Sequence, residues 1–252
     1  MYKHTYKIIL VLLTIFSTGS CLAQNHSSNF ELGFFTNYST SIYKGVDSGV
    51  ESLPFLSYDS DSFFLQGTSI GYHASKEIDF SLNYNESFFD PSNSDDNNIK
   101  KLDERKGGLT AKSTIELGVL KIELEQDLSG KSDGFSANSL ISVPLYHGSY
   151  TLIGSIGYTY NSEKLSQHLY SVSFAESTRT SGAIATHTSK STHYTTYGIS
   201  MIKPLSEKFT LSTDLTHIRF SDNVEASPIV TKNNKTAVEV ILIYSFKTLK
   251  IV

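Results

Sequence analysis

The chain has 252 residues, of which 39% are hydrophobic, with 15 Tyr, 15 Phe, no Trp, one Cys and a formal net charge of −4. That hydrophobic share is low for a soluble domain of this length, which must bury a large core to offset chain entropy. A wall that is apolar toward lipid and polar toward water needs fewer apolar residues, and the acidic balance gives no electrostatic reason to bind nucleic acid.

In chain order, Lys3 and Lys7 precede the apolar run Ile8–Phe16, and Cys21 and Ala23 stand at the −3 and −1 positions of a small-residue cleavage site. This pattern predicts a secretory signal peptide over residues 1–23, because the run is too short to span a bilayer. Acylation of Cys21 in "TGSC" is the alternative, with Thr18 where a Leu is usual. Cleavage after Ala23 removes two Lys and no acid, leaving 19 bases against 25 acids, and takes away the single Cys. The mature chain is then expected to have no disulfide or thiol chemistry. No later stretch reaches about 18 apolar residues, so no transmembrane helix is predicted.

Beyond that segment the hydrophobic period is two. "IDFSLNYNESF" sets Ile78, Phe80, Leu82, Tyr84 and Phe88 against Asp79, Ser81, Asn83 and Asn85. "LKIELEQDLS" sets Leu120, Ile122, Leu124 and Leu128 against Lys121, Glu123, Glu125 and Asp127. "SYTLIGSIGYTY" (149–160) is apolar in the middle of one face, with tyrosines at both ends, as expected of a strand crossing two aromatic girdles. "AVEVILIYSF" places Val238, Val240, Leu242, Tyr244 and Phe246 on one face.

A β-sandwich also alternates. These strands, however, run about ten residues, longer than is usual in soluble sheets and sufficient to cross a membrane when tilted. Tight connections at 74–76, near Gly118, at 146–149 and at 205–208 alternate with long polar ones at roughly 40–60, 89–106, 162–190 and 221–235. That asymmetry predicts an all-β, antiparallel transmembrane β-barrel over residues 24–246, with short periplasmic turns and longer outer loops. Strands are expected near 29–39, 61–73, 76–88, 107–118, 119–129, 134–145, 149–161, 190–204, 207–220 and 235–246. The count is about ten, with twelve as the alternative if 51–58 and 169–176 are also strands, which forces some tight turns outward. The closing strand ends at Phe246, and residues 247–252, "KTLKIV", form a periplasmic tail.

Three segments together resemble the MipA/OmpV family of outer-membrane proteins. They are "SIYKGVDSGVESLPFLSYDSDSFFLQGTSIGY" (41–72), "LDERKGGLTAKSTIELGVLKIELEQDLSGKSDG" (102–134) and "VEASPIV" (224–230). The stretch "YSVSFAESTRTSG" (170–182) departs from the family pattern, lacking a Gly expected there, and the tail after Phe246 is a second departure. The resemblance implies a cell outer-membrane location and a non-enzymatic scaffold. Its implied partners are outer-membrane lipid, a murein-degrading lytic transglycosylase and a murein-synthesising enzyme. Adhesion or stress-response roles are the family's alternatives.

The residues themselves offer little chemistry. Seven histidines follow the leader: His26, His73, His147, His168, His187, His193 and His217. The spacing of His187 and His193 matches no metal pattern, and no metal or other cofactor is expected. His217 lies on an apolar face near an outer rim, where a lipid-modifying enzyme would need a neighbouring Ser; no motif singles one out. Glu116, Glu123, Glu125, Asp127, Asp79 and Asp214 are expected to face Lys112, Lys121 and Lys208 across a narrow lumen. They either plug it with cross-strand ion pairs or line a cation-preferring pore. Gly45 is expected to provide a positive-φ turn and Pro228 a fixed φ, and 90–108 is expected to be a solvated, flexible outer loop.

Overall fold

The computed structural model describes residues 29–246, so the predicted signal peptide and the tail lie outside the described residues. The chain builds β1 (Asn29–Ser39), β2 (Gly49–Asp59), β3 (Phe63–Gln66), β4 (Ser69–His73), β5 (Ile78–Tyr84), β6 (Ser87–Phe89) and β7 (Arg105–Lys106). It continues through β8 (Leu109–Leu117), β9 (Leu120–Asp127), β10 (Phe135–His147), β11 (Thr151–Asn161), and the helices α1 (Glu163–Tyr170) and α2 (Phe174–Arg179). It ends with β12 (Thr192–Pro204), β13 (Phe209–Phe220), the one-turn helix α3 (Asp222–Glu225) and β14 (Asn234–Phe246). Twelve strands close an antiparallel barrel in the order β1-β14-β13-β12-β11-β10-β9-β8-β5-β4-β3-β2, and β6 and β7 form a separate two-stranded sheet.

The twelve strands are not those that a simple extension of the ten-strand pattern supplies. Residues 51–58 do form a strand, β2, in full register with β1 from Asn29↔Asp59 to Ser39↔Gly49. Residues 169–176 do not; they fall across α1 and α2. The remaining strand comes from dividing 61–73 at Gly67, whose φ of 56° permits a tight turn between β3 and β4. This turn points outward, so β3 and β4 are short and β2 is paired with β3 only over Ser57–Asp59. Pro54 fits this arrangement. The carbonyl of Leu56 accepts from the Gly67 N–H, 3.0 Å, so residues two apart present their backbone groups to that same edge. Proline therefore removes a donor where no barrel strand is alongside, the position in a sheet that tolerates it.

Alternation assigns the two faces. Leu32, Phe34, Leu82, Leu124, Ile156, Ile199, Leu215 and Leu242 are exposed and form the lipid belt. Aromatics bound it at the periplasmic end, where Phe30–Phe246, Tyr244–Phe246 and Phe209–Tyr244 pack with centroids 5.1, 4.8 and 5.1 Å apart. Phe135–Tyr160, 6.1 Å apart, mark the outer end. The C-terminal ridge Val238–Phe246 is thus the lipid face of the closing strand, paired with β1 from Phe30↔Phe246 upward.

Most of the buried hydrophobic core lies outside the sheet. Ile42, Phe89, Ile99, Leu102, Leu169, Tyr170, Val172, Ile184, Val224, Ile229 and Val230 form one cluster. Every one of them belongs to an outer connection or a short element within it. The connection at 90–108, expected to be solvated and flexible, is therefore folded into a cap with the other long outer connections. The reason is physical: each carries a few apolar side chains too sparse to form a core alone, and together they exclude water.

Candidate functional site

The cap draws on the connections β1–β2, β5–β8, β11–β12 and β13–β14, which leave the barrel at positions spread around its circumference. Gly45, with φ 66°, turns the first of them. That conformation favours glycine, and a Cβ there would also crowd Asp95 Oδ1 and Ser94 Oγ. Beside it Tyr43 stacks on Phe89 with centroids 4.1 Å apart, and Lys44 pairs with Asp96 at 2.9 Å. Ser227 Oγ, from the last connection, donates to the Tyr170 carbonyl at 2.6 Å. Burial pushes the Tyr43 and Tyr170 phenols well above their ordinary range, so both stay neutral.

The polar centre of the cap is the buried pair Arg105–Glu176, Nη1 to Oε1 2.8 Å. Arg105 Nη2 also donates to the Ser171 carbonyl at 2.8 Å. Glu176 closes a capping box on α2: its backbone N–H donates to Ser173 Oγ at 3.2 Å, and its Oε2 accepts from the Ser173 N–H at 2.8 Å. Oε1 accepts in addition from the Asp103 N–H at 3.1 Å. Burial raises the Glu176 pKa, but the Ser173 N–H, Arg105 and the Asp103 N–H outweigh it and hold the carboxyl below the usual range. Arg179 repeats the link at the surface, 2.7 Å from Asp103 and donating from Nε to the Lys101 carbonyl at 2.8 Å. The segment that departs from the family pattern thus supplies the residue that ties the β5–β8 connection to α2. The Ser173-x-x-Glu176 spacing was the available sequence signal, since it is the capping-box pattern.

His168 and His187 also belong to the cap. His168 Nε2 donates to the Lys106 carbonyl at 2.8 Å. His187 exchanges both backbone hydrogen bonds with Val172 at 2.9 and 3.0 Å, while its Nε2 is buried without a partner. Burial lowers both pKa values, so both are neutral near pH 7. Beneath α1 a cavity of 70 Å³ is lined by Thr110, Glu125, Leu165 and His168 among others. It is far below the roughly 300–1,000 Å³ of small-molecule sites.

Inside the barrel the charges fall on two walls. Glu123 lies 3.6 Å from Lys112 and 3.3 Å from Lys121 and accepts from Asn138 Nδ2 at 3.0 Å. Glu125 accepts from Thr110 Oγ1. Asp79 is held 2.7 Å from His73 Nδ1, whose Nε2 lies 2.9 Å from Asp59. Asp127 takes another role, accepting from the N–H groups of Ser129, Ser132 and Asp133 and fixing the β9–β10 turn. Lys208 is not in the lumen: its Nζ stands 5.7 Å from the centre of the Tyr244 ring, over a lipid-facing aromatic. Asp214 lies opposite Glu239 in register, Glu239 opposite Asn37, and Asn37 opposite Glu51, so an acidic row crosses four strands. Alternation had placed Asp214 inward; its alignment with Glu239 and Glu51 follows from strand order and register alone.

The remaining histidines do not converge. His193 stacks on Tyr158 at 5.5 Å, His147 Nδ1 lies 3.1 Å from Thr151 Oγ1, and His217 Nδ1 lies 3.0 Å from Thr236 Oγ1. His26 lies outside the described residues. Among the described residues, no three His, Cys, Asp or Glu side chains are grouped to hold a metal ion.

A sequence profile described as MltA-interacting protein MipA matches residues 32–246. A putative outer membrane protein, YiaT, of Escherichia coli O157:H7 is 22% identical over 220 residues, covering 84% of this chain and 89% of that protein. The MltA-interacting protein of Escherichia coli K12 is 26% identical over 181 residues, 69% of this chain and 73% of that protein. Among solved structures, an outer membrane channel from Pseudomonas putida F1 aligns over 90% of this chain and 98% of its own with 9% identity and a TM-score of 0.38. With a profile match across nearly all of the described barrel, the chain belongs to the MltA-interacting protein (MipA) family of the outer membrane.

Proposed function

We propose that this barrel is a non-enzymatic scaffold that holds a murein-degrading lytic transglycosylase, and with it a murein synthase, at the periplasmic face of the outer membrane. The observation that supports this reading most strongly is the family match, together with a relative named for its interaction with MltA. The partners act in the periplasm, so the contact belongs to the periplasmic rim. There the described connections are the turns at 60–62, 74–77, 118–119, 148–150 and 205–208, and residues 247–252 follow β14 in sequence. The lipid belt anchors the rim against the membrane.

The test is co-purification of the detergent-solubilised mature chain with a lytic transglycosylase, and separately with a murein synthase. Recovery should fall when residues 247–252 are removed and the turns at 148–150 and 205–208 are replaced by Gly-Ser. Recovery unchanged by these replacements rejects these turns and residues 247–252 as the contact, and no recovery with the intact chain rejects the scaffold. Purified protein with turnover of phospholipid that is lost in His217→Ala would show an enzyme instead.

A further inference from the structure

We propose that the cap is the gate of a cation-conducting path, with a lumen open to the periplasm and shut from outside by the four interlocked connections. This goes beyond the scaffold reading and does not depend on it.

The first observation is convergence. Connections leaving the barrel on different sides can share one water-free core only by crossing the mouth, and they do so through Tyr43–Phe89, Arg105–Glu176 and Ser227–Tyr170. The second is water access at the periplasmic end of the inner wall, although inward-facing Phe35, Ile241 and Ser200 are buried further in. Lumen-facing Asn37, Ser39, Asn83, Thr159 and Asn161, in the outer half, are buried. Glu31, Asp79, Glu116 and Ser245, toward the periplasm, are water-accessible on the same face. The third is charge. On the β13–β14–β1–β2 wall Glu31, Glu51, Asp214 and Glu239 face inward with Lys235 as the base among them. Opposite, Lys112 and Lys121 are both taken up by Glu123. Glu31 and the Asn37–Glu239 row are six residues apart on β1, about 20 Å at 3.3–3.4 Å per residue. The excess acid therefore extends along the lumen instead of sitting at one rim, and a conduit lined this way favours cations.

The ladder between β11 and β12 does not depend on the gate. Asn161 and Thr192 are opposite each other in register, so residues 162–191 can be replaced by a hairpin turn of about four residues that keeps this pairing, with the loss of the Ser166 contacts to Asn161 and Thr192 at the outer end. In planar bilayers the wild-type chain is expected to be silent. The shortened variant is expected to give conductance steps whose reversal potential in a KCl gradient shifts toward that of K⁺. Adding Asp214→Asn with Glu239→Gln should move that potential back toward zero. Folding of each variant is checked by heat-modifiable migration; if the shortened chain does not fold, Glu176→Ala, which leaves every wall residue in place, is read in the same way. A folded, cap-opened variant that stays silent overturns the proposal. So does a wild-type chain that conducts as well as the variant, or a selectivity unmoved by neutralising the two acids.

Discussion

Glu176→Ala isolates the cap from the barrel. The substitution removes one partner of an ion pair whose side chains are 9% and 3% exposed and leaves Arg105 charged in a nearly dry site. Breaking a buried pair in this way costs about 3–5 kcal/mol. Loss of the capping box on α2 adds about 1 kcal/mol, and part of the total is relieved as water reaches Arg105. A net loss of roughly 4 kcal/mol corresponds to about a thousandfold in the opening equilibrium, at 1.36 kcal/mol per tenfold. The assay is amide hydrogen exchange in detergent micelles. Peptides covering Ile99–Leu102 and Leu169–Val172 should exchange about a thousandfold faster, while β9–β14 keep their protection. The double variant Arg105→Met with Glu176→Leu, which replaces both charges by apolar groups of similar volume, should recover most of the protection. Less than about a tenfold change in the single variant would show that the pair does not hold the cap. Equal loss of protection in the barrel strands would show that cap and barrel unfold as one unit.

Other perturbations follow from the same geometry. Gly45→Ala should destabilise the cap by at least about 1–2 kcal/mol, the cost of a side chain in the left-handed region, with further cost from the contacts to Asp95 and Ser94; proteolysis within 90–108 should accelerate. Acidification should loosen the cap. Glu176, His168 and His187 all have lowered folded pKa values, so the opened cap binds protons first and stability falls with pH. The histidine contribution is present above about pH 6.5 and lost as pH falls below it, and the Glu176 contribution is lost below about pH 4.3. Exchange of cap peptides measured from pH 8 to 4, corrected for intrinsic rates, should therefore rise on the acid side, and a flat profile would contradict it. Leu242→Arg, in the middle of the lipid face of β14, should cost about 2–4 kcal/mol in urea unfolding from lipid vesicles. A loss below about 0.5 kcal/mol would place that face away from lipid.

What the sequence alone determined is the part of this protein governed by short-range repetition. Alternation from Ile78 to Tyr84, Leu120 to Asp127 and Val238 to Phe246 is local, because a strand turns each successive side chain to the other face. It therefore fixed the barrel, its lipid belt and the closing strand in advance. The division at Gly67 was less legible, since a two-residue turn inside an apolar run leaves only one glycine as its trace. The cap was legible only in local features such as the Gly45 turn and the Ser173-x-x-Glu176 spacing, not in its core. Ile42, Phe89, Ile99, Ile184, Val224 and Ile229 lie in polar segments without a period, up to 187 positions apart between Ile42 and Ile229. Only closure of the barrel brings the connections carrying them over one mouth. The same closure set the register that aligns Asp214 with Glu239 and Glu51. Hydrophobic burial and charge pairing act on distances in space, and those distances are decided by strand order and register, which no single stretch of the chain contains.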